Sequence, residues 1–343
     1  MDAGLLKRFD VDGMHKIYDA WPQMAAECYG SDLPSVHFDE ISHMVFAGMG
    51  GSGTVGDVFS AVLSKTAVHV DVVKGYQLPK TSGPNSLVIA TSISGNTEET
   101  LYALTEAAKQ ECHTVAFSNG GVMEEFCRRE GITHTMIPTT HSSRASFPTF
   151  MFSILAVIES MLPIQKSDIT DSLQNMQELG SQISSSVLSE DNPAVSLAGW
   201  LSYIPIIYYP WGLQAAAIRF KNSLQENAKT HTITEDVIEA CHNGIVSWCH
   251  KTDVKPVLIR GADDHPKTKE RWTILKEFFA EKGIEYREVH SSDGSILEKL
   301  VHLIYLLDYS SLYKAVLSGT DPTPVEPIDF VKRRLAQKRG HIT

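Results

Sequence analysis

Two stretches of this sequence have the residue types and spacing to hold an anion. Gly48-Met49-Gly50-Gly51-Ser52-Gly53 sets glycines between an apolar run and a helical pattern. There the backbone can approach a ligand while the free amides and dipole of a helix start face it. The same pattern opens dinucleotide-binding units, and Asp71, eighteen residues past Gly53, could be the ribose-binding acid of such a unit. The second stretch, Thr91-Ser92-Ile93-Ser94-Gly95-Asn96-Thr97-Glu98-Glu99-Thr100, argues for a different ligand. Hydroxyls and a glycine ahead of a helix make a mouth for a single phosphate. A plain capping box, Thr97 with Thr100 or Asn96 with Glu99, accounts for one or two of these residues, but not for Ser92, Ser94 and Thr97 together. Gly50, Gly51, Ser52, Ser92, Ser94 and Thr97 are therefore the candidate phosphate binders.

Loops of this kind need a parallel sheet behind them, and the chain alternates accordingly. Apolar runs predict strands at Met44–Ala47, Ala67–Val73, Leu87–Thr91, Thr114–Phe117 and His134–Ile137. Helical patterns fall at Val55–Lys65, Glu98–Lys109, Val122–Glu130 and Thr149–Met161. Leu173, Met176, Leu179 and Ile183 mark a connecting helix in a polar stretch. A second series follows, with strands Ile204–Tyr209, Val257–Ile259 and Tyr286–Val289 among helices Leu213–Glu226, Lys267–Lys282 and Ser295–Val316. The reading is an α/β protein of two tandem doubly wound domains with mainly parallel sheets: residues 1–163, a connection over 164–192, and residues 193–343 with a helical tail.

Composition removes several classes. With 30 basic against 41 acidic residues the net charge is −11, which disfavours a polyanion such as nucleic acid as partner. Apolar runs such as Ile204–Tyr209 fall far short of the roughly 18 residues of a membrane span. The first residues carry Asp2, Lys7, Arg8, Asp10 and Asp12 and no apolar signal core. Five cysteines without a C-x-x-C pair suit a reducing compartment and read as mostly buried thiols. A cytoplasmic protein is expected. Asp263-Asp264-His265 has ligand types in succession, but adjacent residues rarely converge on one ion, so these read as a loop capping the next helix and no metal is expected.

Other residues are ambiguous on type alone. Glu226 ends an amphipathic helix and could simply pair with Lys229 or Lys221. His242 follows the apolar stripe Val237, Ile238, Cys241 and could be an ordinary hydrogen-bonded histidine. Arg144 could be a loop cation, and Lys332 part of a solvated basic helix face.

These segments acquire meaning together. The two loops, Ser143-Arg144-Ala145, Glu226-Asn227-Ala228-Lys229, Glu239-Ala240-Cys241-His242-Asn243 and Asp321-Pro322-Thr323-Pro324 make nearly the whole chain resemble the sugar isomerase (SIS) family, specifically its bifunctional phosphoglucose/phosphomannose isomerases. Ile93 stands where that family often has an aromatic, and Gln225 where it often has asparagine. The resemblance implies cofactor-free interconversion of fructose 6-phosphate with glucose 6-phosphate and mannose 6-phosphate through a cis-enediol. It implies Glu226 as the base moving a proton between C2 and C1, Arg144 facing the enediolate, and Lys332 assisting at the ring oxygen. It also implies Thr323 holding a water for the mannose epimer, and His242 opening the sugar ring in the site of the partner subunit of a homodimer. The alternatives from other classes are a non-catalytic SIS regulator that binds a sugar phosphate, and a nucleotide-dependent dehydrogenase.

Overall fold

The structure is a computed structural model that describes residues 1–339. Three short helices, α1 (Ala3–Phe9), α2 (Met14–Asp19) and α3 (Trp21–Tyr29), precede β1 (His43–Ala47), α4 (Gly51–Leu63), β2 (His69–Val73), β3 (Ser86–Ser92), α5 (Glu98–Lys109), β4 (His113–Ser118), α6 (Gly121–Glu130), β5 (Thr133–Met136) and α7 (Phe147–Ile158). The connecting helix α8 (Lys166–Ile183) and α9 (Pro193–Trp200) lead into β6 (Ile204–Tyr209), α10 (Gln214–Asn227), β7 (Ile233–Asp236), α11 (Val237–Ala240), β8 (Val254–Arg260), α12 (Pro266–Lys282), β9 (Arg287–His290), α13 (Ile296–Leu317) and α14 (Glu326–Arg339).

The strands form two parallel sheets, ordered β2-β1-β3-β4-β5 and β7-β6-β8-β9. Strands β1 and β3 are buried along their whole length, as expected of strands covered by helices on both faces. On one face Met44, Phe46, Leu87 and Ile89 meet Val55, Val58 and Phe59 of α4. On the other, Val45, Ala47 and Val88 meet Ala103 and Ala107 of α5. The chain thus leaves β1 and β3 toward opposite faces, which opens a crevice at the carboxyl ends of these two strands.

Helix α13 is apolar nearly all round and runs through the interior, packed against α8, α9 and α10. Its core is continuous with that of the first sheet. The connecting helix α8 starts with a capping box between Gln165 and Asp168 and buries Met176, Leu179 and Ile183, as its spacing predicts.

Four features depart from the sequence reading. Helices α1 to α3 are absent from it; they meet α13 through Tyr18, edge-on to Tyr309, and Trp21, which stacks on Tyr305. Helix α9 and strand β7 are also absent from it. The five cysteines are free thiols, but only Cys127 is buried and Cys249 lies on the surface. Among the described residues no helix is long and apolar enough to cross a membrane.

Candidate active site

Pairing of β1 with β3 sets the glycine loop and the hydroxyl loop side by side. A Cβ on Gly48 would stand 3.0 Å from the Thr91 carbonyl oxygen. Gly50, at φ 54° and ψ −122°, takes a conformation closed to side-chain-bearing residues, and no side chain caps the first turn of α4 behind it. Gly95 is equally constrained: at φ +67°, a Cβ there would lie 1.7 Å from the Gly120 carbonyl oxygen.

The hydroxyl loop is tied to itself. Ser92 Oγ donates to Thr97 Oγ1 at 2.8 Å and accepts from the Thr97 N–H at 3.3 Å, while the Asn96 N–H donates to Ser94 Oγ at 3.2 Å. Neither capping box forms. No side chain caps α5, and Asn96 donates to the Ser94 carbonyl and accepts from the Val122 N–H. Ser94 stands exposed ahead of the first turn of α5. Asp71 gives no support to the dinucleotide reading. Its carboxylate meets His43 Nε2 at 2.9 Å, at the end of β1 away from the glycine loop.

Arg144 lies next to this crevice. Its buried guanidinium donates from Nε to Asn227 Oδ1 at 2.6 Å, and from Nη2 to the carbonyl oxygens of Pro322 (2.5 Å) and Thr323 (2.9 Å). Nη1 faces Glu226 Oε2 at 3.4 Å. Gly51 lets the pieces meet: a Cβ there would stand 3.2 Å from Arg219 Nη1 and 4.0 Å from the Arg144 Cα. One side of the crevice is therefore lined by a cation, with a half-buried carboxylate beside it.

Two helices hold that arrangement. Arg219, Ser223 and Asn227 recur every four residues along α10, forming a polar stripe on a buried face. Arg219 donates to Asp308 from Nε and Nη2 at 3.0 and 2.6 Å, Ser223 Oγ to Asp308 Oδ1 at 2.6 Å, and Asn227 Nδ2 to Ser311 Oγ at 2.8 Å. Arg219 Nη2 also donates to the Arg144 carbonyl at 2.7 Å. The sequence reading missed this network, although a four-residue polar period facing Asp308 and Ser311 within an apolar helix was a visible signal. Lys229 Nζ donates to the Glu226 carbonyl at 2.7 Å; burial and the neighbouring Arg144 push its ammonium pKa down. Thr323 Oγ1 is buried without a partner in the structure.

The family description "Bacterial phospho-glucose isomerase C-terminal SIS domain" matches residues 190–335. The bifunctional phosphoglucose/phosphomannose isomerase of Caldicellulosiruptor bescii is 31% identical over 313 residues, covering 88% of this chain and 92% of its own. The chain belongs to the bifunctional phosphoglucose/phosphomannose isomerase family. The member from Aquifex aeolicus is 28% identical, with 85% and 90% of the two chains covered. Beyond the family, the fold is shared with a solved structure of tagatose-6-phosphate ketose/aldose isomerase from Escherichia coli, at TM-score 0.69 and 16% identity, over 92% of this chain and 96% of that one.

Not every residue singled out from the family resemblance gathers at the crevice. His242 is exposed just after α11, and Lys332 is exposed on α14. No hydrogen bond or ion pair among the described residues joins either one to Glu226 or Arg144. Asp263, Asp264 and His265 form the helix-capping loop that was expected. Asp263 pairs with Lys299, Asp264 accepts from Trp272 Nε1 at 3.0 Å, and His265 caps α12.

Proposed function

We propose that this protein is an aldose-ketose isomerase that interconverts fructose 6-phosphate with glucose 6-phosphate and mannose 6-phosphate through a cis-enediol. One observation carries the chemistry: the Glu226 carboxylate stands 3.4 Å from the Arg144 guanidinium beside the glycine loop. A non-catalytic sugar-phosphate binder has no use for this pair. The amides at Gly50, Gly51 and Ser52 and the hydroxyls of Ser94 and Thr97 bind the phosphate, with buried Ser92 orienting Thr97 from behind. That anchors the sugar with C1 and C2 toward Glu226, which takes the C2 proton and returns it to C1. The fixed charge of Arg144 stabilises the enediolate oxygen, whose charge exists only near the transition state. The unpartnered Thr323 hydroxyl suits a water that accommodates the mannose epimer. In this reading residues 1–163 supply the phosphate site, 164–192 connect, and 193–343 supply the base. No metal or cofactor takes part.

Ring opening needs a group that moves a proton between O1 and the ring oxygen, which imidazole suits. We assign it to His242 of a partner subunit, assisted by Lys332. The exposure of His242 supports this, as does the apolar side of α14, where Ile328, Phe330, Val331 and Leu335 are all exposed. A homodimer would cover such a surface and complete each site from two chains.

Mixing subunits tests the assignment. Glu226→Gln and His242→Ala homodimers should both be nearly inactive on the three hexose phosphates. After subunit exchange, each heterodimer regains one intact site, which restores about a quarter of parental activity in an equal mixture. No recovery despite verified exchange would overturn the shared site.

A further inference from the structure

At the end of the first sheet away from the phosphate crevice, three side chains converge that the isomerase chemistry does not use. His43 opens β1 and His69 opens β2, directly opposite each other in the parallel register. Asp71 follows His69 by two residues, so the period of two puts all three side chains on one face. Asp71 Oδ2 lies 2.9 Å from His43 Nε2 and 3.1 Å from His69 Nε2, and the three ligand atoms fall within 4.8 Å of one another.

The surroundings suit a metal. The His43 side chain is only 6% exposed, and its other nitrogen, Nδ1, meets Ser86 Oγ on β3 at 3.3 Å. Such an outer partner orients a ligating imidazole and fixes which nitrogen faces the ion. His69 and Asp71 are open to solvent, at 63% and 35% exposure, which leaves room for water as a further ligand. Two imidazoles and a carboxylate form the borderline nitrogen and oxygen donor set of zinc. Bonds of about 2.0–2.2 Å in tetrahedral geometry set donor atoms roughly 3.3 Å apart. Both histidine–aspartate pairs are close to that spacing; where the two imidazoles must adjust, His69 is the exposed and movable one.

We propose that His43, His69 and Asp71 form a zinc site that ties the edge strand β2 to β1. It is a structural site: it lies away from the reacting carbons and holds the strand just beyond which Lys74 pairs with Asp57 of α4. Nothing in it depends on the isomerase reading.

The test uses the full chain stripped with a chelator and then titrated with zinc chloride, followed by thermal unfolding and calorimetry. Zinc should bind at one equivalent and raise the melting temperature, increasingly with zinc concentration. Cobalt in its place should give the intense visible absorption of a tetrahedral site. His69→Ala, at an exposed position, should leave the metal-free melting temperature within a degree or two of the parent. It should abolish the zinc-dependent rise and leave isomerase turnover unchanged. Asp71→Asn should weaken zinc binding at least tenfold. Overturning results would be no stabilisation at millimolar zinc, or the same zinc-dependent rise in both variants as in the parent, which would put the ion elsewhere.

Discussion

Replacing Asp308 by asparagine asks whether a buried charge between α10 and α13 holds the arginine of the site. Asp308 is fully buried and accepts from Arg219, itself 2% exposed, and from Ser223. Asparagine keeps the shape and removes the charge. The guanidinium left behind in the core is uncompensated, and breaking a buried pair from one side costs about 3–5 kcal/mol. For 343 residues, an unfolding entropy of roughly 2.1 cal/mol/K per residue gives about 0.7 kcal/mol/K, so Tm should fall by about 4–7 °C if the chain melts as one unit. Arg219 also donates to the Arg144 carbonyl, so kcat should fall with it. Ser223→Ala removes one donor to the charged carboxylate, worth about 1.5–3 kcal/mol, and should lower Tm by a smaller amount, about 2–4 °C. The pair Arg219→Met with Asp308→Leu removes both charges and should recover most of the stability without recovering kcat. Calorimetry with steady-state kinetics reads all four proteins. An unchanged Tm in Asp308→Asn, or parental kcat in the double variant, would refute the reasoning.

Three further outcomes follow from the same structure. Ser94→Ala and Thr97→Ala each remove a donor to a charged group, worth roughly 1.5–3 kcal/mol, and should raise KM about tenfold or more for both epimers; unchanged KM values would remove the phosphate assignment. Burial pushes the His302 imidazole, which pairs with Asn175, down to about 4. The unfolded chain therefore takes up a proton that the folded one refuses. Stability present above about pH 6.5 is lost as pH falls toward 4, by about 1.4 kcal/mol per pH unit, and His302→Gln should flatten that slope in urea midpoints; a slope equal to the parent's would reject it. Dialysis against a chelator should leave turnover intact even where it lowers Tm; activity lost on chelation and restored by zinc would contradict a metal-free proton transfer.

What the sequence disclosed follows from how local each signal is. Strand β6 and helix α5 lie where the apolar run and the acidic first turn predict, at Ile204–Tyr209 and Glu98–Lys109. Both loops were legible because glycine at positive φ and hydroxyls at a helix start act within a few residues. Strand β7 was missed because it is a four-residue edge strand whose one apolar residue, Ile233, is 45% exposed. Helices α1 to α3 were missed because each is too short to show a period, and their stability comes from docking, α1 and α2 on α13 and α3 on α7 and α8. The meeting of Arg144 with Glu226 and Thr323 spans 82 and 179 positions. Such long-range convergence leaves no local trace, so it was available only through family resemblance. The buried Arg219–Asp308 pair behind it was not read at all.

The central claim is that Glu226 carries the proton between C2 and C1, and exchange of the C2 hydrogen with deuterated water measures that step directly. Glu226→Gln should lose exchange and turnover by a hundred- to ten-thousandfold on cyclic and open-chain substrates alike, since the amide cannot accept the proton. His242→Ala should lose far more on cyclic hexose phosphates than on an open-chain sugar phosphate, because its work is finished once the ring is open. Exchange surviving in Glu226→Gln at the parental rate would contradict the account.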